Sequence, residues 1–191
     1  MDNLEYPARL EIFHREKQSR MTAFFRLLLA LPAILVMIFL TSLTAITCFL
    51  AGVGIVVLGV YPKWLFDLNV TVFRLEFKTA AYLLLLIDEY PLSDRSDEIS
   101  IEVDYPDVDT DLARLMPLVK WLLVLPNSFV IALGFQLFYF IAPISWLLVL
   151  FSGHYPRALF DFSTGMLRWL LRVRAYAVML VTDEYPPFSL R

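Results

Sequence analysis

Asp67, Thr71, Arg74, Lys78 and Tyr82 are separated by steps of 4, 3, 4 and 4 residues, and Asp161, Gly165, Arg168, Arg172 and Tyr176 repeat those steps. Such steps fall along one face of a helix. Each set is therefore a polar stripe on a helix that is otherwise apolar. An acid and cations at bilayer level could form an ion or proton path. They could equally dock one helix on another, with Asp67 and Arg74, or Asp161 and Arg168, as an ion pair and the arginine stem reaching toward headgroups. Docking is the simpler reading.

The second set is Asp88-Glu89-Tyr90-Pro91, which recurs as Asp183-Glu184-Tyr185-Pro186. Paired acids can bind a divalent cation or share a proton. Neighbours on a helix point about 100° apart, however, so two adjacent acids do not by themselves make a chelate. Proline biases the residue before it away from the helix. The motif reads as a helix end at a membrane surface, with Tyr90 and Tyr185 in the aromatic belt.

Other chemistry is thin. His14 and His154 are the only histidines, and Cys48 is the only cysteine. One cysteine excludes an internal disulfide and a thiolate cluster, and no His/Cys spacing suits a metal. Cys48 lies in a run of small and apolar residues and reads as packing. His154, in SGHYPR, reads as a turn residue. Gly52-x-Gly54 lacks the later glycine and the acid of a dinucleotide site. Ser163 and Ser189 have no His and acid set nearby. The sequence points to no enzyme, no cofactor and no metal.

Apolar residues make up 59% of the 191 positions and charged residues only 18%, so a membrane protein is expected rather than a soluble one. The net charge of −3 gives no basic field for nucleic acid. The first twenty residues are charged and lack the basic start and apolar core of an export signal. From Leu27 to Val60 there is no charged residue over 34 positions, and none from Trp121 to Phe151. A span needs ~20.

Shifting the chain by 94 lays RLLLALP (26–32) on KWLLVLP (120–126) and YPKWLFDL on YPRALFDF. Over 61–87 against 155–181, 9 of 27 positions are identical. One inserted residue then superposes the two DEYP motifs, and LEI (10–12) resembles IEV (101–103). The chain is thus a tandem duplication: residues 1–92, a polar linker 93–100, and residues 101–191.

YP[KR]-x-LFDF, R-x-x-x-[RK] on the next helix, and the closing DEYPPFSL resemble the bacterial membrane proteins catalogued as domain of unknown function family 4389. The resemblance spans nearly the whole chain and is closest in HYPRALFDF, LRWLLRVRAY and TDEYPPFSL. Copy one departs from it at Leu68-Asn69 and at Leu92. It implies a membrane fold and a bacterial location, and carries no reaction.

The expected fold is an all-α integral membrane protein. Each copy opens with a short alternating stretch, LEIFHRE or ISIEVDYP, either a strand or an irregular segment. If strands, the two could pair as a small polar cap. A cationic approach follows, Arg20 and Arg26 or Arg114 and Lys120. The long apolar run, broken by Pro32, Pro126, Pro143, Gly52 and Gly54, reads as a helical hairpin, with one long tilted helix as the alternative. The striped amphipathic helix comes last, at the interface or against a partner or wet cavity.

Basic residues precede the first run (Arg9, Arg15, Lys17, Arg20, Arg26) and only Lys63 follows it. This puts the N-terminus in the cytoplasm, at the inner membrane. Both copies carry cations at the same places, so they are expected to be parallel pseudo-twofold repeats. The functional expectation is a non-enzymatic scaffold or accessory subunit, with other membrane subunits or a second copy as partner. The alternative is a lipid-handling or small-solute transport component, its stripes contacting anionic lipid. Cysteines at Ser93 and Ser189, in a Cys48→Ala background, should label from the same face of the membrane; labelling from opposite faces would exclude parallel copies.

Overall fold

The computed structural model of the chain describes residues 6–14, 18–93, 97–108 and 112–190. Arg15 and Lys17, used above for orientation, and residues 94–96 of the expected linker lie outside the described residues.

The chain is mostly helical. Copy one contributes β1 (Ala8–Ile12), α1 (Arg20–Val53) and α2 (Lys63–Leu83). Copy two contributes β2 (Ile99–Val103), α3 (Met116–Leu123), α4 (Leu125–Gln136), α5 (Phe138–Ser152) and α6 (Arg157–Ala177). Displaced by 94, α2 and α6 coincide residue for residue; β1 and β2 coincide when displaced by 91.

α1 is one continuous helix of 34 residues with Pro32 inside it. Ser19 caps its start, its Oγ accepting from Thr22 N–H. A π-helical turn, Gly54–Leu58, extends it, and Gly59 at φ 67° closes it in the left-handed region. The expected hairpin is therefore absent from copy one. Contacts with α2 run in reverse order along α1: Arg26 meets Tyr82, Thr41 meets Glu76, and Thr47 meets Asn69. One helix thus lies antiparallel to α2 throughout. Copy two has no hairpin either. Val124 and Leu137, which join α3, α4 and α5, keep right-handed helical dihedrals, and these bend a helix without reversing it.

Residue size decides the packing. The buried positions of α1 are small apart from Arg26: Ala23, Ala30, Ala33, Thr44, Thr47, Cys48 and Ala51. Its large residues, such as Leu27, Leu31, Leu35 and Phe39, point outward. Small residues let helix backbones approach, while a soluble protein would bury the large ones. Two stretches, Arg20–Leu58 and Leu125–Ser152, are long and apolar enough to cross a membrane, and only 22% and 17% of their most apolar windows are buried.

β1 and β2 pair antiparallel, with Leu10 opposite Ile101. The expected polar cap is polar on one face only. Ala8, Leu10, Ile12, Ile99 and Ile101 are buried beneath it, while Arg9 reaches Glu102 and Asp104 on the outer face. Bonds from Asp104 N–H to Pro7 O and from Phe13 N–H to Glu98 O fix the alternation. Leu10 and Ile101 are then a non-hydrogen-bonded pair, and their carbonyls point out of the two opposite edges.

The arms before the long helices are exchanged. Strand β1 of copy one lies against α6, and strand β2 of copy two lies against α2. His14 Nε2–H donates to Tyr155 O at 3.2 Å and its ring meets Phe160 edge-on at 4.7 Å. Reciprocally, Tyr105 donates to Tyr61 O and meets Phe66 edge-on at 5.0 Å. Arg20 lies over Gly153 and Arg114 over Gly59. Residues 1–92 and 101–191 are two units in sequence, but neither closes its own surface.

Arg9 and Glu102 are a hydrogen-bonded pair, so their Cα atoms stand ~5.5 Å apart, within disulfide reach. Arg9→Cys with Glu102→Cys, in a Cys48→Ala background, should cross-link on mild oxidation within one chain. Arg9→Cys with Ser100→Cys should not. Equal linking of both pairs would contradict the register.

Candidate functional site

Arg26 and Lys120 stand immediately before the two long uncharged runs, at equivalent positions, with only 2% and 0% of their side chains exposed. A charge buried to that degree needs a counter-charge and full hydrogen bonding. Asp88 and Asp183, the first residues of the two DEYP motifs, supply it. Arg26 donates to Asp88 Oδ1, to Tyr82 O at 2.6 Å and to Ile87 O at 2.9 Å. Lys120 Nζ lies 2.7 Å from Asp183 Oδ1 and donates to Thr182 O at 2.8 Å. The second carboxylate oxygen accepts a backbone N–H just before the long helix, from Ser19 at 2.9 Å and from Ala113 at 2.6 Å. Each carboxylate thus fastens the head of the long helix to the tail of the striped helix. Burial pushes the Lys120 ammonium below the usual lysine range, and the hydrogen bond and charge of Asp183 oppose that.

The stripe tyrosines complete these sites. The Arg26 guanidinium stands 4.5 Å over the Tyr82 ring and Lys120 Nζ 5.1 Å over Tyr176, cation–π geometry. Tyr90 and Tyr185 pack edge-on against those same rings, at 6.2 and 5.8 Å. DEYP does not itself end the helices. α2 stops at Leu83 and α6 at Ala177, and Leu85 and Leu180 then turn the chain at φ 60° and 57°. That conformation costs a non-glycine residue ~1 kcal/mol, and both leucines are held in it by burial. Glu89 Oε1 accepts from Ser93 Oγ at 3.4 Å, while Glu184 is exposed. Pro91 and Pro186 are buried. Pro186 O accepts from Asn127 Nδ2 at 2.8 Å, and Asn127 Oδ1 accepts from Trp169 Nε1 at 2.7 Å.

The stripes hold the sheet rather than ion pairs. Arg74 Nε donates to Ile101 O at 3.1 Å and Arg168 Nε to Leu10 O at 2.8 Å. Each copy's arginine therefore grips the strand edge contributed by the other copy. Asp67 and Asp161 are exposed, and neither pairs with the arginine seven residues on. The reason is reach: two turns separate them by ~10 Å along the axis. Lys78 donates to Ser93 O at 3.4 Å and Arg172 to Ser189 O. Thr71 bonds back to Asp67 O at 2.8 Å. Gly165, its counterpart, lies under the tail, where a Cβ would come within 2.6 Å of Leu190 O.

The ion pair between α2 and α6 crosses between the copies without a repeat to announce it. Arg174 Nη1 lies 2.5 Å from Glu76 Oε2, stacks 4.6 Å over Phe73, and shares Glu76 with the Thr41 hydroxyl. The positions equivalent to Glu76 and Arg174 are Leu170 and Ala80, so duplication gives no sign of it.

Two cavities matter. An apolar groove of about 520 Å³ runs between the copies, lined by Cys48, Gly52 and Val56 from one and Pro117, Leu118 and Trp121 from the other. A pocket of about 660 Å³ with mixed polar and apolar walls lies where the arm of copy one crosses α6; His14, Arg157, Asp161, Thr164 and Arg168 line it beside Phe160 and Phe162. Among the described residues, no three His, Cys, Asp or Glu side chains are placed to hold a metal.

The family model described as "Domain of unknown function (DUF4389)" matches residues 20–93 and again residues 114–189. The two matches take up more than half of the chain, which therefore belongs to this family and carries its domain twice. Both exchanged arms lie largely outside the matched residues. No curated protein and no solved structure matches the chain.

Asp88→Ala should leave Arg26 buried and unpaired, a loss of ~3–5 kcal/mol, and Asp183→Ala should do the same for Lys120. Asp161→Ala, at an exposed position, should cost within ~0.5 kcal/mol. Thermal unfolding in detergent would rank the three. A large loss for Asp161→Ala with none for Asp88→Ala would invert this account.

Proposed function

We propose that the chain is a non-enzymatic scaffold or accessory subunit of the bacterial cytoplasmic membrane. It acts through helix–helix and headgroup contacts, with its N-terminus in the cytoplasm. Its two copies stand parallel about a pseudo-twofold axis. The reciprocal arms support that axis, because the strand pair centred on Leu10 and Ile101 and the two arginine–carbonyl bonds exchange under a half-turn. The observation that carries the function is how the polar groups are used. The repeated cations, Arg26, Lys120, Arg74 and Arg168, are directed to carboxylates or backbone carbonyls within the chain. What the long helices offer outward is apolar: Leu35, Phe39, Phe140 and Leu147 stand on the exposed faces of α1 and α5. Lipid can cover those faces, and so can another membrane helix.

The lipid-handling alternative draws on the groove between the copies. Its walls are apolar, which suits an acyl chain better than a small polar solute. For transport, a polar path would have to join Asp67 and Asp161, and both lie on the exposed surface.

A photo-reactive residue placed singly at Leu35, Phe39, Phe140 and Leu147 tests the proposal in native membranes. A scaffold should give a protein adduct of discrete mass from at least one position. Lipid adducts alone, from all four, would remove the scaffold and leave the lipid-handling alternative.

A further inference from the structure

The pocket beside the arm of copy one contains groups that the fold does not use. Arg157, Asp161, Thr164 and Arg168 follow one another at steps of 4, 3 and 4, so they form one wall along a face of α6. The other wall is the end of the exchanged arm, Ile12 to His14. Thr164 is 3% exposed, yet its hydroxyl has no hydrogen-bond partner. A buried threonine hydroxyl ordinarily finds a partner, and leaving it without one costs free energy. Arg157 and Asp161 are exposed and make no ion pair among the described residues. Arg168 spends its Nε on Leu10 O, which leaves the outer edge of its guanidinium available to the pocket. His14 gives Nε2–H to Tyr155 O, so its Nδ1 remains. Fold alone does not account for an unsatisfied hydroxyl in the wall of a pocket that two guanidinium groups also line.

The equivalent face in copy one differs at the informative positions. It reads Lys63, Asp67, Val70 and Arg74, and the arm there brings Tyr105 instead of His14. The hydroxyl at the Thr164 position is gone. The Tyr105 hydroxyl is already committed to Tyr61 O. The charges are thus common to both copies, while the buried hydroxyl and the imidazole belong to one.

We propose that this pocket binds a phosphate ester that carries an ammonium group, the chemistry of phosphoethanolamine. Guanidinium groups and a hydroxyl are the natural donors to phosphate oxygens. Asp161, between the two arginines, would repel a simple anion but pairs with an ammonium. Thr164 and Arg168 hold the phosphate, Asp161 the ammonium, and Arg157 closes the mouth. Phe13 and Leu190, exposed at the rim, suit a site that opens at the edge of a bilayer. That the phosphate belongs to a lipid headgroup rests on the membrane reading above; soluble phosphoethanolamine would satisfy the same groups.

The test uses the full chain, purified in neutral detergent and placed in nanodiscs. Retention of phosphatidylethanolamine is compared with that of phosphatidylglycerol, and O-phosphoethanolamine and inorganic phosphate are each used as competitors. The wild type should prefer the ethanolamine lipid about tenfold, the worth of one charge-assisted contact. Asp161→Asn should remove the preference while keeping phosphate affinity. Thr164→Val, which installs the copy-one residue, should weaken both lipids several-fold. Lys63→Gln with Asp67→Asn, in the equivalent face, should change nothing. Unaltered melting of each variant would confirm that the fold is intact. If O-phosphoethanolamine binds with the same variant pattern and neither lipid is retained, the site stands and its ligand is soluble. Equal retention of both lipids by wild type and Asp161→Asn, or competition by inorganic phosphate as strong as by O-phosphoethanolamine, would overturn the site. Loss of lipid preference with protein adducts intact would leave the scaffold reading standing. Intact preference without adducts would leave only the site.

Discussion

A guanidinium or ammonium group at the head of a long apolar helix cannot stay buried and charged without a carboxylate beside it. Arg26 and Lys120 set this condition in each copy, and much of the architecture answers it. The carboxylate must come from the end of the striped helix, so that helix must return antiparallel along the long one. The chain must then turn sharply after the helix to bring the acid back, and the left-handed leucines, Leu85 and Leu180, make that turn. The tyrosine ring one residue before the helix end takes the cation's face. The repeated tetrapeptide follows from this geometry: its aspartate neutralises the cation, and its tyrosine packs on that ring. Arginine and lysine meet the demand differently. The planar fork of Arg26 reaches two carbonyls and the acid, whereas Lys120 reaches one carbonyl and the acid.

The exchanged arms make the duplication obligatory in the folded state. Each striped helix would otherwise leave an arginine directed at nothing, and each strand would leave an edge with an unpaired carbonyl. Pairing Arg74 with Ile101 and Arg168 with Leu10 satisfies both defects at once. These contacts join residues far apart in sequence, so they are expected to form late, after each helical pair has assembled. The copies differ at Thr164, whose equivalent is Val70, and at His14, whose equivalent is Tyr105, although His14 and Tyr105 each still bond a carbonyl of the other copy.

Features written twice were legible in the sequence. The common spacing from Asp67 to Tyr82 and from Asp161 to Tyr176 identified the striped helices, and α2 and α6 coincide as the shift of 94 requires. The alternating stretches allowed strands, with an irregular segment as the alternative, and the structure makes them strands. What those features bind was not legible, because a backbone carbonyl has no sequence signature: nothing in LEI or IEV says that an arginine on another helix will need it. The pairing of Asp161 with Arg168 failed on reach, a matter of rise per turn that spacing alone conceals. The hairpin failed for another reason. Pro32, Gly52 and Gly54 are breakers in water, but a long helix packed on a neighbour tolerates them, and here they yield an internal proline and a π-helical turn. The bond between Glu76 and Arg174 occurs once, so a search by self-similarity passes over it.

The distribution of residue size carries the argument about environment further than apolar content does. A core helix of a soluble protein would turn Leu27, Leu31, Leu35 and Phe39 inward and leave alanine and threonine outside. α1 does the reverse, and its inner face is alanine, threonine and one cysteine. Small residues there give α2 room to approach closely enough for Thr47 to donate to Asn69 and Thr41 to Glu76. These side-chain bonds are worth keeping only where water is scarce, since water would otherwise compete for each donor. A surface of exposed leucine and phenylalanine and an interior of hydroxyls, amides and paired charges are what the membrane placement proposed above requires: in a medium as apolar as the side chains, burial of apolar area cannot hold helices together, and directed polar contacts must.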